Sequence, residues 1–190
     1  MAVTNVLLIS ATTLKNTTTI SESVDDANIY PITMLAQDKY ILPVLGTDLF
    51  EKLKTEVAGT PAGNYLILLR DYVSKCLCWY TYAELLPHLK YRVVNHSVVS
   101  MNNEQGTTAT FDDLKPLISQ AIDMAQFYRE RMIDYLSNNS SLFVEFSSNT
   151  GADMSPTSRN YYAGINMDKS PPTNRQAQAI LSAMGIKNVC

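Results

Sequence analysis

Five side chains in this sequence have the chemistry to bind a soft metal ion or to serve as nucleophile and base: Cys76, Cys78, His88, His96 and Cys190. Their spacing argues against both roles. Cys76 and Cys78 are two apart in an apolar helical stretch, so they point to different faces, and zinc ligand pairs have other spacings. They read as core thiols. Covalent catalysis needs a Ser or Cys activated by a neighbouring base, yet no G-x-S-x-G motif is present. His88 follows Pro87 at a helix end, where it reads as a C-terminal cap. The carboxylate pairs Asp25–Asp26 and Asp112–Asp113 each precede a helix, where they offset its dipole. The seven glycines form no phosphate-cradling loop. Arg129 and Arg131 are balanced by Glu130 and Asp134, a solvated face and not an anion site. The expectation is no enzyme, no cofactor and no metal.

Composition narrows the classes further. The 190 residues are 46% hydrophobic, enough for one domain with a core. Only 17% are charged and the net charge is -3, which gives no electrostatic case for nucleic-acid binding. Much of the polar surface must then be Ser, Thr, Asn and Gln, which are easier to desolvate against other subunits than charges are. "MAVTNVLLIS" lacks the basic start of a leader, and no apolar run is long enough to span a bilayer. Three cysteines do not make a disulfide scaffold, so assembly in a reducing cytosol is expected.

The elements that must position these residues are mostly helical. Val6–Ile9 is a short extended piece, followed by a Thr-rich segment. Ser21 or Ser23 caps a helix in which Ile29, Ile32, Leu35, Ala36 and Tyr40 recur at helical spacing. In "KYILPVLGTDLFEKL", Pro43 ends or restarts that helix, and Gly46 suits a left-handed position. Thr47 is then a fresh N-cap for Leu49, Phe50 and Leu53. Residues 64–89 make the strongest helix, apolar on most faces, and therefore central or covered by a neighbouring subunit. "YRVVNHSVVS" is β-branched and predicts a small hairpin, Tyr91–Ser100 with Thr107–Thr110. Thr110 and Asp113 form a capping box for a long helix running to about Leu136.

From Ser137 the composition turns to Ser, Asn, Thr, Gly and Pro, yet this stretch carries Phe143, Phe146, Tyr161 and Tyr162. A free linker would not need four aromatics. The expectation is an extended arm that docks on a neighbouring subunit or partner. It ends in a short helix, 174–185, that docks through Ile180, Leu181 and Met184. The fold class is thus mainly α: a bundle of about four helices over 1–137, with a small β-hairpin near 91–110. The arm occupies 138–190.

The pattern "DDANIYPITMLAQDKYILPVLGTDLFEKL" resembles a family of head–tail connector (head-completion or adaptor) proteins of tailed bacteriophages, of the type in phages of Bacteroidetes hosts, including crAss-like phages. The matching corner is Tyr40, Ile41, Pro43, Leu45, Gly46 and Leu49, with Thr47 in it. "FYRERMIDYL" and "DMSPTSRNYYAGINM" are similar too, and the resemblance covers residues 20–167. It implies a non-enzymatic virion protein, assembled in the host cytoplasm and placed in the neck. It implies a homo-oligomeric ring of twelve copies between the portal protein and a further neck or tail ring protein. Genomic DNA would pass through the channel without specific binding, and no membrane is involved. The alternative is a tail-completion or other neck or tail assembly ring, followed by a small helical enzyme without a recognisable motif.

Overall fold

The structure, a computed structural model, describes residues 6–94, 97–100, 110–148, 150 and 153–157, with the backbone alone at 92–94 and 97–100. It is mainly helical. Ser10 opens α1 (Ala11–Thr17), its hydroxyl accepting from the Thr13 amide. The Thr-rich stretch is therefore a helix, nucleated by a cap its composition obscured. Next comes α2 (Asp26–Ala36), whose N-cap is Asp25 in place of the expected serines. Asp26 pairs with Lys15 of α1 at 2.7 Å. Pro31 sits at the sixth residue of α2, beyond the first turn.

The helix then widens without breaking. Gln37–Ile41 form a π turn, closed by the Leu42 amide on the Gln37 carbonyl, and α3 (Leu42–Leu45) follows directly. Pro43 lies just past this wide turn. A proline has no amide to donate and its ring crowds the carbonyl four residues back, so a local i→i+5 turn absorbs what would otherwise end the helix. The true break is at Gly46, with φ 75° and ψ 160°. This is a region essentially reserved for glycine. Positive φ was expected, but the left-handed helical conformation was not adopted. Thr47 is the first residue of α4 (Thr47–Ala58), and Gly46 holds the cap position expected of Thr47.

Gly63 begins the next rod: α5 (Gly63–Leu68), a second π turn over Leu69–Val73, and α6 (Ser74–Lys90). This rod is central. Its most extensive packing is with α7 (Phe111–Asn138), and α1 and α2 lie on it too. Cys76, Leu77, Cys78 and Leu85 are fully buried there. The two π turns share a device. Tyr40 of the first stacks on Tyr80 of α6 with ring centroids 3.9 Å apart, and Tyr72 of the second stacks on Tyr135 of α7 at 4.1 Å. Widening a turn re-aims its side chains, and here each wide turn presents a ring flat against a neighbouring helix.

Between α6 and α7, β1 (Tyr91–Val94) pairs antiparallel with β2 (Ser97–Ser100), Val94 opposite Ser97. The stretch expected to form one strand, Tyr91–Ser100, thus folds back on itself as two among the described residues. Residues 107–109 lie outside the described residues. The Thr110–Asp113 capping box is present: each side chain bonds the other residue's amide. The long helix ends at Asn138.

The boundary expected at residue 138 needs correction. A short 3-10 turn (Ser140–Leu142) and α8 (Val144–Ser147) follow α7. Phe143 is fully buried and Phe146 nearly so, both in the core of their own chain. Tyr65 of α5 and Tyr135 of α7 meet the Phe143 ring edge-on. The apolar period had simply been hidden by the serines and asparagines around it.

Candidate functional site: the Pro43–Asp48 corner

The two segments flanking the helical body are tied to one stretch of sequence, Gln37–Asp48. At its start, Gln37 is fully buried and satisfied at both ends of its amide. Its Oε1 accepts from the Leu8 amide at 2.9 Å, and its Nε2 donates to the Val6 carbonyl at 3.1 Å. A buried amide left unpaired would cost about 1–3 kcal/mol, so Gln37 fixes where the N-terminal piece lies. Nothing in its apolar periodicity marked it, because it falls inside the helical stripe.

At the other end, residues 150 and 153–157 lie along the corner as a strap. The Asp48 carboxylate accepts from the Thr150 amide at 2.6 Å and from its hydroxyl at 3.0 Å. The Thr47 amide donates to the Met154 carbonyl at 3.0 Å. The Thr47 hydroxyl accepts from the Met154 amide and donates to Asp153, each at 3.0 Å. Thr157 donates to the Pro43 carbonyl through its amide at 3.2 Å and its hydroxyl at 2.8 Å. Thr47 is thus a bridge to the strap, not a cap. Asp48 does more than offset a helix dipole.

Gly46 has a second reason to be glycine. A Cβ there would lie 2.8 Å from Pro156 Cδ and 2.9 Å from its nitrogen. The backbone turn and the close approach of Pro156 both demand a residue without a side chain. Asp153, Met154, Pro156 and Thr157 lie inside the stretch "DMSPTSRNYYAGINM" that carries part of the resemblance, but the sequence reading assigned none of them a contact with the corner.

Tyr40 anchors the flank of the corner. Its hydroxyl donates to Glu84 Oε1 at 2.6 Å, and Lys39 Nζ donates to the same oxygen at 2.6 Å. Burial would raise the Glu84 carboxyl, but the bonds from Lys39 and Tyr40 prevail and hold it below its ordinary value. The bond to Glu84 holds the Lys39 ammonium above its own. Burial first, then the Glu84 bond, raises the Tyr40 phenol. These are the shifts of a structural ion pair.

Of the residues expected at an interface, Phe143 and Phe146 lie in the core. Tyr161, Tyr162, Ile180, Leu181 and Met184 lie outside the described residues. The thiols of Cys76 and Cys78 are buried, and burial pushes them up to about 12 and about 11. Among the described residues, no three His, Cys, Asp or Glu side chains come together as a metal site, and no helix is long and apolar enough to cross a membrane.

No curated protein matches the chain, and no solved structure does. A family of unknown function, DUF6712, matches residues 41–155. The match opens in the corner and closes in the strap, so its two ends meet in space, as the bonds from Thr47 to Met154 show. It spans more than half of the sequence, and the chain belongs to the DUF6712 family.

Proposed function

We propose that this protein is a structural subunit of a tailed-phage neck, a head–tail connector that assembles as a ring beneath the portal and extends the DNA channel toward the tail. The observation that carries this reading is the corner. The residues that resemble the connector motif, Tyr40 to Leu49, include Pro43, Thr47 and Asp48, which hold the strap in place. The motif therefore fixes the last described residues, 153–157, against the corner. In that assembly the hairpin and the residues beyond the strap provide reach, and residues 174–185 dock on a neighbour or the portal.

Surface chemistry supports the same reading. The first ten residues of α7, Phe111–Gln120, include no buried side chain, although Phe111, Leu114, Leu117 and Ile118 are apolar. Phe127, further along, is 58% exposed. Apolar surface of this kind belongs in a subunit contact. A net charge of -3 keeps such a ring from gripping DNA.

The test is native mass measurement of the purified protein, followed by negative-stain imaging with its portal. A closed ring that docks on the portal is the expected result. A ring that binds only tail components moves the protein to tail completion. A stable monomer that ignores the portal overturns the reading.

A further inference from the structure

We propose that the segment described by residues 143–148, 150 and 153–157 is an exchangeable arm: in the assembled ring each copy places these residues on the α4–α5 face and corner of the next copy, making there the contacts they make within one chain in isolation. The inference rests on the ring reading above.

The arm is a self-contained plug. It carries Phe143 and Phe146 as apolar anchors, Glu145 as acceptor for the Tyr65 hydroxyl at 2.8 Å, and the strap that binds Pro43, Thr47 and Asp48. Apart from the Tyr135 edge contact, these receiving groups come from residues 43–65, far from the arm in sequence. The connection to α7 is of a different kind. Ser137, Asn138, Ser141 and Leu142 are exposed, Asn139 and Ser140 half-buried, and none is core. Asn139 leaves helical geometry at φ -116° and ψ 28°.

A polar, unburied hinge joining a well-anchored plug to a long helix is what domain exchange needs. Opening it gives up the hydrogen bonds of the Ser140–Leu142 turn, those from Asn139 to the Tyr135 carbonyl and the bond from the Ser147 hydroxyl to the Ser140 carbonyl, while the plug's contacts with the body are returned by the neighbour's site. Six residues from 137 to 142, drawn out at about 3.3 Å each, give a reach of about 20 Å, enough to cross between adjacent small subunits. Closed monomer and exchanged ring then differ in those few bonds of the connection and in the entropy of association, which ring closure and the portal surface offset. The receiving face also has chemistry that selects its occupant. Gly46 admits only a segment that places a flat proline ring against it, and Asp48 needs a donor pair three residues before Asp153. Among the described residues, Thr150 and Pro156 meet these two conditions.

The experiment uses full-length chains carrying Cys190→Ser, so that the remaining native thiols, Cys76 and Cys78, are buried. One chain carries Asp48→Cys and the other Thr150→Cys. Circular dichroism first confirms that each retains the parent's helix content. The two are mixed, assembled on the portal, oxidised and resolved under denaturing conditions. Exchange predicts a covalent heterodimer as the main product, at least tenfold above either chain oxidised alone. A double variant with both substitutions should give a ladder of covalent multimers when assembled, and an internally bridged monomer when dilute. Internal bridging alone in rings seen intact by imaging overturns the exchange and leaves the connector reading standing. Failure of the parent protein to form any ring overturns both.

Discussion

The two halves of α7 look alike in sequence and behave differently in space. Both carry apolar residues at helical spacing. In the second half Ala121, Ala125, Met132, Ile133 and Leu136 are buried, on α6 and around Phe143. In the first half, Phe111–Gln120, none is. At about 1.5 Å per residue this 28-residue helix is about 42 Å long, and only its latter part lies over the core. Periodicity reports that a helix has an apolar face; it does not report whether the chain itself supplies the cover.

The comparison is broken most directly by the same substitution on each half. Leu136→Ala removes a fully buried side chain and should cost about 2–5 kcal/mol in denaturant unfolding. Leu117→Ala, at a position 45% exposed, should change the isolated protein by less than about 0.5 kcal/mol. Equal effects would mean that the first half is covered within the chain. Leu117→Ala should nevertheless weaken ring assembly, read as a lower oligomer fraction by native mass measurement.

The next effect belongs to the tied part of the molecule. Gly46→Ala meets a positive φ and a Cβ 2.8 Å from Pro156, and should cost about 1–3 kcal/mol. Amide exchange at Met154 and Thr157 should accelerate more than at Leu77, because the strap must shift to admit the methyl. Uniform acceleration across the body would show that the strap has no separate behaviour.

Smaller still is the cap of the projecting half. Thr110→Ala removes one side of the capping box, and should cost about 1 kcal/mol. It should appear as roughly fivefold faster exchange in the first turn of α7, with the unfolding midpoint of the body almost unmoved. A large drop in midpoint would make the two halves one cooperative unit.

The smallest effect is the Lys39–Glu84 pair beside the corner. Glu84 is held below its ordinary value, so its contribution is present above the unfolded-state pKa of about 4.3 and is lost as pH falls through the lower folded value. Lys39 is raised, so its contribution is complete below its unfolded pKa and is lost only as pH rises through the higher folded value. Partly exposed as the pair is, it should be worth under about 1 kcal/mol. Glu84→Gln should therefore flatten the stability-against-pH curve on the acid side by that amount and, because the bond to Glu84 is what raises Lys39, remove the Lys39 contribution on the alkaline side as well.

The rods and their order were legible because Leu, Ile, Tyr and Cys recur at helical spacing in 64–89 and 110–136, and because Thr110 and Asp113 mark a helix start. Gly46 was legible as a break from its type alone. The π turns were not: a five-residue widening leaves composition unchanged, and Pro43 looked like a stop when the turn before it absorbs the lost bond. The burial of Phe143 was hidden because serines and asparagines dominate its neighbours, while a single 3-10 turn was enough to return the chain to the core. The strap was illegible for another reason. Its partners lie more than 100 residues away, and hydrogen bonds between Thr, Asp and backbone leave no periodic trace.

The pair of thiols inside α6 gives the molecule a clock. Cys76 and Cys78 are fully buried, and Cys76 Sγ lies 3.6 Å from the Ala125 carbonyl of α7. Only a thiolate reacts appreciably with an alkylating reagent, and burial suppresses ionisation of both groups. Labelling of Cys76 therefore waits for α6 and α7 to part, whereas Cys78, beside Thr17, waits for α6 to part from α1. Timed alkylation, followed by mass analysis that separates the two sites, would count openings of each helix pair.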